Sequence, residues 1–183
     1  TAPENVAWLL NIRGSDIPYS PIPNSNLILS KEKKVYLITE KYKTSKLLLE
    51  KKLLPNQIID KNKLESFIKS LNGKNMIVDD KTLSIYKENI ITSKFSIINR
   101  NDPCYYYKSL KNPKEIKNMI DSHIKDGVAL TKFIYWIKNS KDQKITELSA
   151  ENKLEKFRKK NKNYLYPSFN TIAGTGPNGA IVH

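Results

Sequence analysis

The 183-residue chain is 39% hydrophobic, enough to bury a substantial core in one or two globular domains. No stretch approaches the roughly 20 uninterrupted apolar residues of a membrane helix, and Thr1-Ala-Pro-Glu-Asn5 has no charged leader ahead of an apolar run. A soluble, unprocessed, cytoplasmic protein without a membrane partner is therefore expected. Cys104 is the only cysteine, which excludes an internal disulfide and a thiolate metal cluster. A formal net charge of +14 raises nucleic acid as a partner, yet Arg13, Arg100 and Arg158 are the only arginines, and lysine is the weaker reader of phosphate and bases. Lysine enriched together with isoleucine and asparagine is the imprint of adenine- and thymine-rich codons, so no nucleic-acid partner is expected.

Val6-Ala-Trp-Leu-Leu-Asn-Ile12 is a short apolar run without helical period and predicts a strand buried on both faces, mid-sheet. Residues 13 to 23 hold three prolines and a glycine and predict an ordered loop. Leu27-Ile-Leu29 and Val35-Tyr-Leu-Ile38, separated by the polar Ser30-Lys-Glu-Lys-Lys34, predict an antiparallel hairpin. From Thr44 the pairs Leu47, Leu48 and Leu53, Leu54 take helical spacing, ended by Pro55. A second helix is predicted from Lys61 to Leu71, with Asp60 as N-cap, an apolar face of Leu64, Phe67, Ile68 and Leu71, and Gly73 just past its end. Met76-Ile-Val78 and Phe95-Ser-Ile-Ile98 predict two further strands. The alternation gives an α/β layer of helices over a sheet.

The texture changes near Asn101-Asp-Pro103. Asn112 as cap, Pro113 at the first helical position and Glu115 in the first turn open a helix. Apolar residues from Ile116 to Ile137 then recur every three or four positions, so one long helix is predicted from Pro113 to about Lys138. Thr146 caps another, with Leu148, Leu154 and Phe157 inward and Glu147 and Glu151 among its surface residues. Ser168-Phe-Asn-Thr-Ile-Ala173 and Ala180-Ile-Val-His183 predict two short strands around a glycine-rich bend. Trp8 and Trp136 are expected in the core, and Tyr105-Tyr-Tyr107 over a junction between the halves of the chain rather than as a base-stacking surface.

Gly174-Thr-Gly176-Pro-Asn-Gly179 fits the dinucleotide pattern G-x-G-x-x-G but not its context. That fingerprint needs a following helix whose amides hold a pyrophosphate, whereas Pro177 removes an amide and a strand pattern follows. A turn is the better account. His123 and His183 are the only histidines; the first lies within the long helix, the second ends a β segment behind a rigid turn, a setting suited to a catalytic group. Asp79-Asp80 read as turn residues. No His, Asp and Glu cluster has metal-ligand spacing, and no serine sits in a nucleophile elbow.

Three segments resemble signatures of the three-domain Xaa-Pro aminopeptidases, the aminopeptidase P family. Ala7-Trp-Leu-Leu-Asn-Ile-Arg-Gly-Ser-Asp16 is similar to A-W-L-x-N-x-R-G-S-D of the family's second, non-catalytic creatinase-like domain. Ser122-His-Ile-Lys-Asp-Gly-Val-Ala-Leu130 is similar to A-H-I-R-D-G-A-A-L on the first long helix of the catalytic domain. Residues 168 to 183 are similar to S-F-D-T-I-x-x-x-G-P-N-G-A-I-x-H. Asn170 and Lys125 depart from the usual aspartate and arginine.

The resemblance implies an α/β, creatinase-type non-catalytic domain over residues 1–107, with a mixed sheet, helices and its front missing. It implies that a pita-bread α+β metallopeptidase domain begins at residue 108 and runs through 183. It further implies a hydrolase that removes the residue before proline from peptides with proline in second position. The complete enzyme would be a homodimer using two divalent metals, manganese or alternatively zinc or cobalt. His183 matches the family histidine that contacts substrate and helps stabilise the transition state. The five metal ligands lie further along in the family, so this stretch alone is expected to hold no metal pair and to be inactive. The rival expectation is a pita-bread homologue without metals that acts as a peptide- or protein-binding module.

Overall fold

The structure is a computed structural model, which describes residues 1–140 and 144–180. The chain divides into two compact units, Thr1–Leu110 and Lys111–His183. Among the described residues no helix is long and apolar enough to cross a membrane.

The first unit opens with helix α1, Pro3–Leu9. This corrects the strand predicted over Val6–Ile12. Pro3 at the first helical position and Glu4 in the first turn are helix-start signals, and only the face carrying Asn5, Val6 and Ala7 is buried, while Leu9 is 43% exposed. A seven-residue apolar run is too short to show that one-sidedness as a period. Asn11, in the left-handed region at φ 47°, ends the helix: its amide donates to Trp8 O and that of Ile12 to Ala7 O, the paired bonds of a Schellman cap.

The remainder of the signature builds the loop behind α1. Arg13 Nη1 donates to Ile12 O at 2.8 Å and to Ala7 O at 3.3 Å, tying the loop to the last turn of the helix. Gly14 donates to Pro21 O, and a Cβ at Gly14 would lie 2.7 Å from Pro23 Cα, so only glycine fits. Asp16 accepts from the Asn24 amide and pairs with Lys43, each at 2.8 Å.

Strands β1 (Asn26–Leu29) and β2 (Val35–Thr39) form the expected antiparallel hairpin, with Leu27 opposite Leu37. Helix α2 is only Ser45–Leu49; Lys51, at φ 53°, ends it with a second Schellman pair, Lys52 to Leu47 O and Lys51 to Leu48 O. Leu53 therefore enters the core from a loop. Strand β3 (Ile58–Asp60), not foreseen from so short a run, pairs parallel to β2 and makes the sheet mixed. Asp60 caps the next segment as expected, accepting from Asn62 N, although a 3-10 turn precedes α3 (Leu64–Ser70).

Strands β4 (Asn75–Val78) and β5 (Ser96–Asn99) are parallel, which requires a crossover; α4 (Ile85–Thr92), capped by Ser84, supplies it. Two cores result. Val6, Ile12, Leu27, Leu37, Leu53 and Ile58 form one, and Ile68, Ile90, Ile91 and Phe95 the other. Helix α5 (Pro103–Ser109), also unforeseen, is capped by Asp102 and packs on α1. Asn5, wholly buried, donates to Asp102 at 3.0 Å and accepts from Lys108 Nζ at 2.8 Å; Tyr105 Oη donates to Glu4. Of the tyrosine run, Tyr105 thus serves the α1–α5 contact within the first unit, while Tyr106 and Tyr107 are exposed.

In the second unit, α6 (Pro113–Asn139) runs as predicted, opened by a reciprocal capping box between Asn112 and Glu115. Thr146 caps α7 (Glu147–Arg158), which packs on α6. Arg158 grips Asp126 across the two helices with Nε at 2.7 Å and Nη2 at 3.1 Å, and Lys153 lies over the rings of Trp136 and Phe157. Trp136, like Trp8, is half-buried rather than fully in a core.

The strand predicted at 168–173 does not form. A strand needs a partner for its backbone groups, and the second unit has none among the described residues. Ala180 closes a 3-10 turn over Gly176–Ala180, and 181–183 lie outside the described residues.

Candidate functional site

His183 lies outside the described residues, but the turn leading to it does not. Gly176 adopts φ 54°, and a Cβ at Gly174 would meet Asn178 O at 2.9 Å, so both positions suit glycine. Asn178 N donates to Thr175 O at 3.1 Å and closes the turn. The second half of the motif, Gly176–Ala180, is a short 3-10 turn in which Pro177 has no amide to offer, so the G-x-G-x-x-G spacing lacks the row of amides that a pyrophosphate needs.

The turn is held from outside by Glu147. Its Oε1 accepts from the Thr175 amide at 2.8 Å and from Asn178 Nδ2 at 3.1 Å, with Oε2 3.3 Å from the same nitrogen. The sequence pattern placed Glu147 on a solvated helix surface; it is instead the first residue of α7, where a carboxylate also suits the positive end of the helix. Its partners stand 28 and 31 positions further on, beyond the reach of any local pattern.

His123 bonds within its own helix, Nδ1 donating to Met119 O at 2.8 Å, and is exposed. Asp79 is a turn residue as read: Oδ1 accepts from Lys81 N, and Oδ2 accepts the Asp102 amide from the start of α5. Burial and the adjacent Asp102 push the Cys104 thiol up to about 11, which disfavours the nucleophilic thiolate form. An open groove of about 530 Å³ lies between α6 and α7, lined by Tyr135, Trp136, Lys153 and Phe157 among others.

Residues 1–115 match the creatinase/prolidase N-terminal domain family, and residues 117–183 match metallopeptidase family M24. The chain belongs to the creatinase/prolidase N-terminal domain family. This creatinase/prolidase chain is 32% identical to the Xaa-Pro aminopeptidase ApepP of Drosophila melanogaster, over 100% of its own length and 31% of that protein's. It is 29% identical to aminopeptidase P2 of Arabidopsis thaliana, over 98% of its own length and 30% of that protein's. Its fold resembles that of the Xaa-Pro dipeptidase from Bacillus anthracis, with TM-score 0.61 and 16% identity over 87% of this chain and 43% of that one. The chain thus spans under a third of the curated relatives it matches.

The M24 match implies dependence on a divalent metal. Among the described residues no three His, Cys, Asp or Glu side chains stand together in a way that could hold one. The described residues therefore offer no group that fits a catalytic metal.

Proposed function

We propose that this chain is part of a metal-dependent Xaa-Pro aminopeptidase that removes the N-terminal residue preceding proline. The observation that carries the reading is the run of an M24 match directly behind a creatinase/prolidase domain, in a chain similar from end to end to Xaa-Pro aminopeptidases. In this reading residues 1–107 belong to the non-catalytic creatinase-like domain, and 108–183 open the pita-bread catalytic domain. The complete enzyme acts in the cytoplasm as a homodimer, with manganese as its metal, on peptides with proline in second position. His183 contacts the peptide and stabilises the charge that develops in the transition state, as a fixed N–H donor does in acyl transfer.

The test uses the complete polypeptide that carries this sequence. With manganese it is expected to release arginine from Arg-Pro-Pro, and His183→Ala is expected to lower kcat by about a hundred- to a thousandfold, the usual cost of one oxyanion donor. The 1–183 chain alone is expected to release nothing. Release by that chain would refute the division of labour proposed, and a complete polypeptide that binds Arg-Pro-Pro without cleaving it would replace the peptidase reading with a peptide-binding module.

A further inference from the structure

The sequence contains two asparagine–glycine pairs, Asn72-Gly73 and Asn178-Gly179. In such a pair the glycine nitrogen can attack the asparagine side chain, because glycine has no Cβ to obstruct the approach. The structure treats the two pairs differently. Asn178 is held: its Nδ2 donates to Glu147 Oε1 at 3.1 Å and stands 3.3 Å from Oε2, and Gly179 lies inside the 3-10 turn Gly176–Ala180. Asn72 and Gly73 are exposed between α3 and β4. Among the described residues neither the Asn72 side chain nor the Gly73 amide has a hydrogen-bond partner. Glycine is nevertheless required there: Gly73 sits at φ 137°, which L side chains rarely adopt, and a Cβ would lie 3.4 Å from Phe95 Cε1 of the second core.

From this contrast we infer that Asn72-Gly73 is a self-modifying site, converting to aspartate and isoaspartate while Asn178-Gly179 is preserved. The Gly73 nitrogen gives its proton to solvent base and bonds to Asn72 Cγ. The Cγ–Nδ2 bond then breaks, and Nδ2 takes up a proton and leaves as ammonia, which closes a succinimide. Water adds to either ring carbonyl and breaks its bond to the nitrogen, giving aspartate or isoaspartate without oxidant or reductant. Both products place a negative charge just past the end of α3, where the helix disfavours it. The isoaspartate also routes the main chain through the side-chain carbon, lengthening it just ahead of Lys74. The Lys74 carbonyl accepts from Ser96 N at 2.9 Å where the β4–β5 pairing begins, so the modification strikes the entry to that sheet.

The experiment incubates the complete polypeptide for days at mildly alkaline pH, in native buffer and in guanidinium chloride, and maps tryptic peptides by mass spectrometry. Trypsin releases residues 70–74, in which Asn72 is the only asparagine. In the folded protein this peptide is expected to gain about 1 Da and to split into two isomers. Its conversion is expected to run about ten- to a hundredfold faster than that of the peptide holding Asn178, where bonds to a charged partner must first break. In guanidinium chloride the two rates are expected to converge. An unmodified Asn72 overturns the inference, as does a folded-state rate at Asn178 that equals or exceeds that at Asn72. The same rate ratio in guanidinium chloride also overturns it, because the selectivity would then belong to the neighbouring sequence and not to the fold.

Discussion

Replacing Asp102 with alanine removes two different supports of the α1–α5 contact. Asp102 caps α5, its Oδ1 accepting from Cys104 N at 2.9 Å, and loss of a cap costs about 1 kcal/mol. Its Oδ2 accepts from Asn5 Nδ2 at 3.0 Å, and Asn5 is wholly buried, so the substitution strands a buried donor at a cost of about 1–3 kcal/mol. Together the loss comes to about 2–4 kcal/mol. At a urea slope near 2 kcal/mol/M, the midpoint of the first unit's transition falls by about 1–2 M. The assay is urea titration of Trp8 fluorescence in a Trp136→Phe background, which leaves the tryptophan of α1 as reporter. Asn5→Ala and the double variant complete a cycle, in which the double variant is expected to cost clearly less than the sum of the singles. Burial pushes the Asp102 carboxyl up, but bonds from Thr1, the Cys104 amide and Asn5 outweigh it and hold it below its ordinary value. A depressed carboxylate stabilises above its unfolded pKa and loses that contribution as pH falls through its folded one, so wild type and Asp102→Ala converge in acid. A loss below about 1 kcal/mol, or strict additivity, would refute the reasoning.

Gly14→Ala drives a Cβ to 2.7 Å from Pro23 Cα and is expected to destabilise by about 1–3 kcal/mol, read as a lowered thermal midpoint. Lys43 holds the Asp16 carboxyl below its ordinary value and, with Lys61, brings Glu40 down to about 2; Lys43 itself is raised by the same partners. The stability gap between wild type and Lys43→Met should therefore be flat from about pH 5 to 9 and shrink as the carboxylates protonate in acid, which urea titrations across pH will check. On α6, Ile116, Ile120 and Ile124 are 47%, 55% and 62% exposed along one stripe, so the 1–183 chain is expected to self-associate in light scattering, and Ile120→Lys with Ile124→Lys to reduce that association.

What the sequence revealed depended on how far each signal reached. Helix α6 announces itself through Asn112, Pro113, Glu115 and some seven turns of periodic apolar residues, and the hairpin through alternation around a polar spacer. Helix α4 carries almost no one-sided apolar pattern, having Ile85 and Tyr86 exposed beside buried Ile90 and Ile91, so only the Ser84 cap marks it. Helix α1 was masked because Ala7, Trp8 and Leu9 read as uniformly apolar although just one face packs. Strand β3 has three residues and owes its existence to β2, a pairing that no local pattern encodes. The anchoring by Glu147 was invisible for the same reason, since the residues it holds are distant in the chain.

The loop behind α1 bears on how relatives of this chain should be read. Within Ala7 to Asp16, Asn11 turns the backbone, Arg13 ties it down, Gly14 clears Pro23 and Asp16 fastens the far side. Each task concerns the scaffold, and none requires a substrate. A relative without any catalytic activity could keep all four for the same scaffold reasons, so this most recognisable stretch testifies to the fold, and evidence of chemistry has to be sought elsewhere in the molecule.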